Sequence, residues 1–193
     1  MHPRVQELIE HLDSSHRGLL QAIEDVPAAG RERRPGPDRW SVAEILQHLA
    51  LIEGGLARIL GEALESARAA GLGPERDTSP VIDPEEMRML LDRTRRFPAP
   101  GPAHPKPGVT AAEALAAFES SHRRLRAVLL SGDGLALGEV VHVHPAFGPL
   151  TFYKWFAFTG GHETRHTAQM REVARVLKGA EGCCGVLKGA EGC

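Results

Sequence analysis

The chain has 193 residues, 42% of them hydrophobic and 25% charged, with a formal net charge of -2; that length buries one sizeable core, or at most two small ones, in an ordinary globular composition. No broad basic surface advertises nucleic acid, no apolar run is long enough to span a bilayer, and the polar start MHPRVQELIEHLD has no secretory apolar region, so the expected compartment is the cytoplasm. The three cysteines, Cys183, Cys184 and Cys193, crowd into the C-terminal tail, which excludes a disulfide framework spread through a fold.

The first predicted helix runs from about residue 4 to 25, because Val5, Leu8, Leu12, Leu19 and Ile23 recur at helical spacing. The stretch PAAGRERRPGPDR then breaks the pattern with Pro, Gly and solvated arginines. The second helix has a clear start. Ser41 at the N-cap and Glu44 three residues on form a capping box, and Trp40 and Ile45 occupy the hydrophobic-staple positions. Its expected buried stripe is Ile45, Leu49, Ile52, Leu56 and Ile59, with His48 beside it.

A long connection follows, with a short helix expected inside it. Asp83 would cap that helix, Pro84 would be its first residue and Glu86 its third. The Pro-rich FPAPGPAHPKPG cannot be helical and ends the excursion. The third long helix starts at Thr110 and Glu113, another capping box, and runs to about Leu130. Leu115, Phe118, Leu125 and Leu129 form its stripe, and His122 falls on the same face. After a loop or short extended pair, the fourth long helix runs from about Thr151 to Lys178. Trp155, Phe158, His162, His166, Gln169, Val173 and Val176 should line one face, with both histidines mid-stripe. The octapeptide VLKGAEGC occurs at 176–183 and again at 186–193. Two short copies are too few for a solenoid, and the glycines disfavour a helix. The expectation is an all-α four-helix bundle over residues 1–178, with a long connection between helices two and three, followed by a repeated, disordered tail over 179–193.

The unusual part is GGHETRHTAQM. As text, His162, Glu163 and His166 spell the H-E-x-x-H of zinc proteases. Histidines at i and i+4 are neighbours about 6 Å apart at Cβ and can share one ion. Two ordinary core histidines are the bland alternative, but burying both rings without strong partners costs several kcal/mol. Imidazole suits zinc, nickel or iron. The protease reading needs a further downstream ligand. Glu172 faces away on the same helix, and Glu181 and Glu191 lie in the repeated tail. An upstream ligand fits better, and His48 stands beside a buried stripe. Three histidines leave an open coordination position, the arrangement of a catalytic metal.

Here RWSVAEILQHLALIE, followed by HPAFGPLTFYKWFAFTGGHETRHTAQM, resembles the DinB-like superfamily of four-helix-bundle metalloenzymes. The first block matches its W-S-x-x-E-I-L-x-H-L signature and the second its H-P-x-x-G-x-L and H-x-x-x-H-x-x-Q patterns. The resemblance implies metal-binding histidines at His48, His162 and His166, with the family's Gln at Gln169. It also implies a metal-dependent enzyme. Members include S-transferases and isomerases that use low-molecular-weight thiols, and others are described as hydrolases. The implied cofactors are a divalent metal (zinc, nickel or iron) and a low-molecular-weight thiol. The implied partner is a small-molecule substrate, with a homodimer open and neither nucleic acid nor membrane expected. A non-catalytic metal- or ligand-binding stress protein is the rival from another class.

On this reading Glu163 points about 100° away from His162 around the helix. It is expected to be a partly exposed residue rather than a general base. His122, Gln169 and Glu163 remain candidates to support the ligands from behind, and His16 is a weaker one. His142 and His144 precede the PAFG turn, and a loop role is open for His144. Gly160 and Gly161, costly inside a helix, point to a close helix contact, substrate access or a kink.

Overall fold

The capping signals place the helices where the sequence puts them. In the computed structural model, which describes residues 1–94, 101–145 and 147–187 (backbone alone for 180–187), α1 spans Pro3–Glu24, α2 Val42–Ala69, α3 Pro84–Leu91 and α4 Ala111–Ser131. A hairpin of β1 (Val141–His144) and β2 (Gly148–Thr151) leads into α5, Phe152–Leu187. Ser41 accepts from the Glu44 backbone N–H at 3.2 Å while Glu44 accepts from that of Ser41 at 2.9 Å. Thr110 and Glu113 repeat the exchange at 3.2 and 2.9 Å. Asp83 caps α3 by accepting from Glu85 and Glu86. Each cap satisfies amides that the first turn leaves without a carbonyl. The region before α5 is an extended pair, antiparallel, with Val141 opposite Thr151 and His144 opposite Gly148.

The four long helices pair α1 with α5 and α2 with α4, and α2 also meets α5. The contacts give their directions. His11 meets Ala157 and Ser15 meets Glu163, so α1 and α5 run parallel. Gly54 lies against Ser121 and Gly61 against Val128, so α2 and α4 are parallel too. Asp13 pairs with Arg126 and His16 stacks on His122, which makes α1 and α4 antiparallel. The long connection carrying α3 is therefore a crossover, and it gives the bundle an up-down-down-up order.

Two stripes differ from expectation. On α2 the buried line is Leu46, Leu49, Glu53, Ala57, Leu60 and Leu64, while Ile52, Leu56 and Ile59 are only partly buried. The shift is one residue, about 100° of rotation, because the core face of α2 is set by α4 and α5 together. On α5 the line runs through Phe156, Gly160, Glu163, Thr167, Met170, Ala174 and Leu177. Phe158 is half-buried and Val176 is exposed. His162 and His166 thus lie at the rim of the buried face rather than at its centre.

Polar side chains divide the core in two. One apolar cluster holds Leu8, Leu12, Leu60, Leu64, Leu125, Leu129 and Phe152. The other holds Leu19, Ile23, Ile45, Leu49, Phe118, Met170 and Leu177. Between them sit Ser15, His48, Glu53, Ser121, His122, Thr159, Glu163 and Thr167, all buried. Gly160 and Gly161 permit close helix contacts here. A Cβ on Gly160 would lie 2.4 Å from the His11 ring of α1, and one on Gly161 2.5 Å from Leu90 Cδ2 of α3. The α5 backbone continues past Lys178 through the first repeat to Leu187, and residues 188–193, including Glu191 and Cys193, lie outside the described residues, as do 95–100 of the Pro-rich segment.

Candidate metal centre

His48 comes from the second turn of α2, seven residues after its cap, and His162 and His166 come from successive turns of α5. The antiparallel approach of α2 and α5 brings the three rings together. His162 Nε2 lies 3.1 Å from His166 Nε2 and 3.4 Å from His48 Nε2. A tetrahedral ion with bonds of about 2.0–2.1 Å places its ligand nitrogens about 3.3–3.4 Å apart, so the two sides of the triangle that meet at His162 are close to the edge of such a shell, and all three ligand atoms lie within 4.8 Å of one another.

The backs of the rings set their protonation. His48 Nδ1 lies 2.9 Å from the Ala103 carbonyl, which can only accept, so that nitrogen carries the proton. His166 Nδ1 donates in the same way to Gln169 Oε1 at 2.8 Å. Nε2 of His48 and of His166 is therefore a lone pair aimed inward. His162 Nε2 can donate to at most one of them, which leaves at least one lone pair unanswered within the protein. A cation answers all three.

Electrostatics agree with the geometry. Burial holds His48 below the ordinary histidine range, with the Ala103 bond acting in opposition. Burial, then the charges of His166 and His48, push His162 well below it. Burial and the neighbouring His48 bring His166 down to about 3. At neutral pH the rings are uncharged and available as ligands, with no proton to displace from the inward nitrogens of His48 and His166. Parts of His162 and His166 reach the surface, yet desolvation dominates because their nitrogens lie deep between α2 and α5. Trp40 covers the cluster, its ring 5.0 Å from that of His48 and 6.4 Å from that of His166. Arg165 is tied to the Leu90 and Asp92 carbonyls at the end of α3, and Arg93 to Glu172. Both cations act on His166.

The other candidates separate. Gln169 directly supports a ring of the triad. His122 and Glu163 do not. Glu163, expected to be partly exposed, is fully buried. It accepts from Ser15 Oγ at 2.7 Å and from His122 Nδ1 at 3.1 Å, in the centre of the bundle. The rotation of about 100° from His162 turns it inward rather than outward, because α5 presents that face to α1 and α4. His16 stacks on His122 with centroids 3.9 Å apart. His144 Nδ1 accepts from the Phe147 backbone N–H across the hairpin turn at 3.2 Å, a loop contact, and His142 offers its carbonyl to Trp155 Nε1 at 3.2 Å. Glu172 binds Arg39 and Arg93, away from the triad.

Sequence reading missed Glu53. It is wholly buried on α2 and faces Glu163. Burial, then the charge of Glu163, raises its carboxyl well above the usual range. Neither Glu53 oxygen has a hydrogen-bond partner, and the two facing carboxyls can bond each other only when one of them carries a proton. A signal was present. Leu46, Leu49, Glu53, Ala57 and Leu60 keep an unbroken three-four spacing with the carboxylate inside it.

A crossover four-helix bundle whose facing helices α2 and α5 bring three histidine nitrogens together is the class of all-α fold that can build a metal site between its helices. The chain belongs to the DinB superfamily, whose sequence profile matches residues 11–170. It is also 25% identical over 151 residues to the uncharacterized protein YuaE of Bacillus subtilis (strain 168), across 77% of this chain and 85% of that protein. No solved structure gives a significant match. Among the described residues no helix is long and apolar enough to cross a membrane.

Proposed function

We propose that the chain is a metal-dependent enzyme in which His48, His162 and His166 hold one divalent ion and a low-molecular-weight thiol is the reacting group of an S-transfer. The observation that carries the reading is the convergence of three Nε2 atoms, two of them fixed as lone pairs by the Nδ1 bonds to Ala103 and Gln169. When bound, the ion would lower the pKa of a thiol and hold it as thiolate. The chain's own residues would do the rest. Gln169 and the Ala103 carbonyl keep His166 and His48 oriented. Trp40 would pack its ring against those of His48 and His166. Arg93 and Arg165 place positive charge near His166, which favours an anionic ligand.

The position of Glu163 supports thiol transfer over hydrolysis. A hydrolase of the H-E-x-x-H type uses that carboxylate to take a proton from water. Here it faces the bundle centre, bonded to Ser15 and His122.

The test uses the full chain with Cys183→Ser, Cys184→Ser and Cys193→Ser, so that no tail thiol interferes. Cobalt is loaded and glutathione or free cysteine is added at millimolar concentration. A thiolate-to-cobalt charge-transfer band is expected, and it should vanish in His162→Ala. If neither thiol perturbs the cobalt spectrum, thiol transfer loses its support while the metal reading stands.

A further inference from the structure

Between the two apolar halves of the core, each long helix contributes one metal-ligating side chain at the same level: His16 from α1, Glu53 from α2, His122 from α4 and Glu163 from α5. One ligand atom each from His16, His122 and Glu163 lie within 4.8 Å of one another. Glu53 Oε2 is 3.9 Å from His122 Nδ1. Three buried atoms of this group have no hydrogen-bond partner: His16 Nδ1 and both carboxylate oxygens of Glu53. Glu53 itself is 0% exposed. Leaving buried polar atoms unpaired costs about 1–3 kcal/mol each.

A proton shared between Glu53 and Glu163 bridges one pair of oxygens. It leaves the other Glu53 oxygen and His16 Nδ1 as they were. A cation held by His16 through Nδ1 and by Glu53 through both oxygens would answer all three orphan atoms and separate two facing carboxylates. We infer that His16, Glu53, His122 and Glu163 form a second metal site at the bundle centre, distinct from the His48–His162–His166 cluster, for a divalent transition ion such as zinc, manganese or iron. Two imidazoles and two carboxylates suit those ions, and facing helices of a bundle are where such sites are built. Bonds of about 2.0–2.2 Å require ligand atoms roughly 3–3.5 Å apart; His122 and Glu163 already stand at 3.1 Å, and Glu53 at 3.9 Å from His122 has a few tenths of an ångström to close. The ion would pin all four helices at one level, which gives it a structural role. His162 and Glu163, adjacent in sequence, would serve two different ions.

The experiment uses zinc alone as the probe. The full chain carries the three tail Cys→Ser changes together with His48→Ala and His166→Ala, which leave a single histidine of the outer cluster. After loading with zinc and desalting, elemental analysis should find one zinc per chain. Adding Glu53→Gln, nearly the same shape, should lower it to none, and His16→Ala does the same should the first variant fail to fold by circular dichroism. The inference is overturned if the chain retains no zinc, which makes a shared proton the whole content of the site, or if zinc persists at one equivalent in both added variants. Failure of the outer site is seen separately. With His48 and His166 restored, Glu53→Gln still keeps one zinc when the outer cluster binds metal, and none when it does not.

Discussion

Gly160→Ala is the sharpest test of the helix packing behind the site. In an isolated helix the change is favourable by about 0.5–1 kcal/mol, since alanine gives up less backbone entropy. In this fold the new methyl lies 2.4 Å from both Cδ2 and Nε2 of His11. That ring cannot easily retreat, because its Nε2 donates to the Ala157 carbonyl at 3.1 Å. Overpacking of this kind costs about 1–3 kcal/mol, and a lost hydrogen bond adds about 0.5–1.5 kcal/mol. The net expectation is a loss of about 1–3 kcal/mol, or roughly 2–12 °C in Tm for a chain of this size. Gly55→Ala is the internal control: it sits in α2 with nothing within 4 Å of the added Cβ. It should gain about 0.5–1 kcal/mol. Urea titration of both variants in the metal-free state measures the difference without contribution from bound ions. If Gly160→Ala equals or exceeds the parent in stability, the close approach of α1 to α5 is wrong, and with it the placement of His162 and Glu163 on their two faces.

Other consequences are open to measurement. Gln169→Leu removes the acceptor for His166 Nδ1; losing such a partner behind a metal ligand typically weakens affinity about 10–100-fold, readable by competition with a zinc-responsive chelator, and an unchanged affinity would reject the orienting role. Glu75 accepts from Tyr153 and Arg4, at 2.8 and 3.2 Å. Burial raises its pKa, but the bonds from Asp77, Tyr153 and Arg4 together outweigh it and leave the carboxyl below 4.5. A lowered folded pKa contributes stability that is full above the unfolded value and lost as pH falls through the folded one. Glu75→Gln should therefore be less stable than the parent at pH 7, with the gap closing below about pH 4; a gap that widens in acid refutes the assignment.

The caps were legible because they are local. Ser41 and Glu44, Thr110 and Glu113, and Asp83 with Pro84 settle within one turn, and each stands where the letters put it. The three-histidine cluster was legible for a different reason: i, i+4 spacing is a property of one helix, and His48 stood out upstream beside a buried stripe before the resemblance carried a ligand onto it. Ile45, Leu49, Trp155 and Val173 are buried as expected, but the rest of the phase of α2 and α5 failed. A stripe drawn through apolar residues assumes an apolar core, so it slid to Ile52, Leu56 and Ile59 and passed over Glu53. The same assumption turned Glu163 outward. Helix direction was likewise beyond reach, because the crossover through α3 depends on contacts such as Gly161 with Leu90 and Met87 that no local pattern encodes.

The letters H-E-x-x-H divide between two interiors. His162 and His166 face α2, where a protonated Nδ1 on His48 and on His166 leaves lone pairs converging on one point. Glu163 faces α1 and α4, where Ser15 and His122 donate to it, and Glu53 of α2 confronts it from the bundle centre. A protease needs the carboxylate and the two histidines to meet the same water, and a rotation of about 100° per residue can allow that only when the intervening face is open. In this bundle it is closed by the packing of Gly160 on His11 and by the polar layer itself. The zinc-protease motif and the H-E-x-x-H stretch of this chain therefore share spelling but not geometry. What distinguishes them is whether the residue after the first histidine is turned to solvent or to the core, a property fixed by the neighbouring helices rather than by the motif.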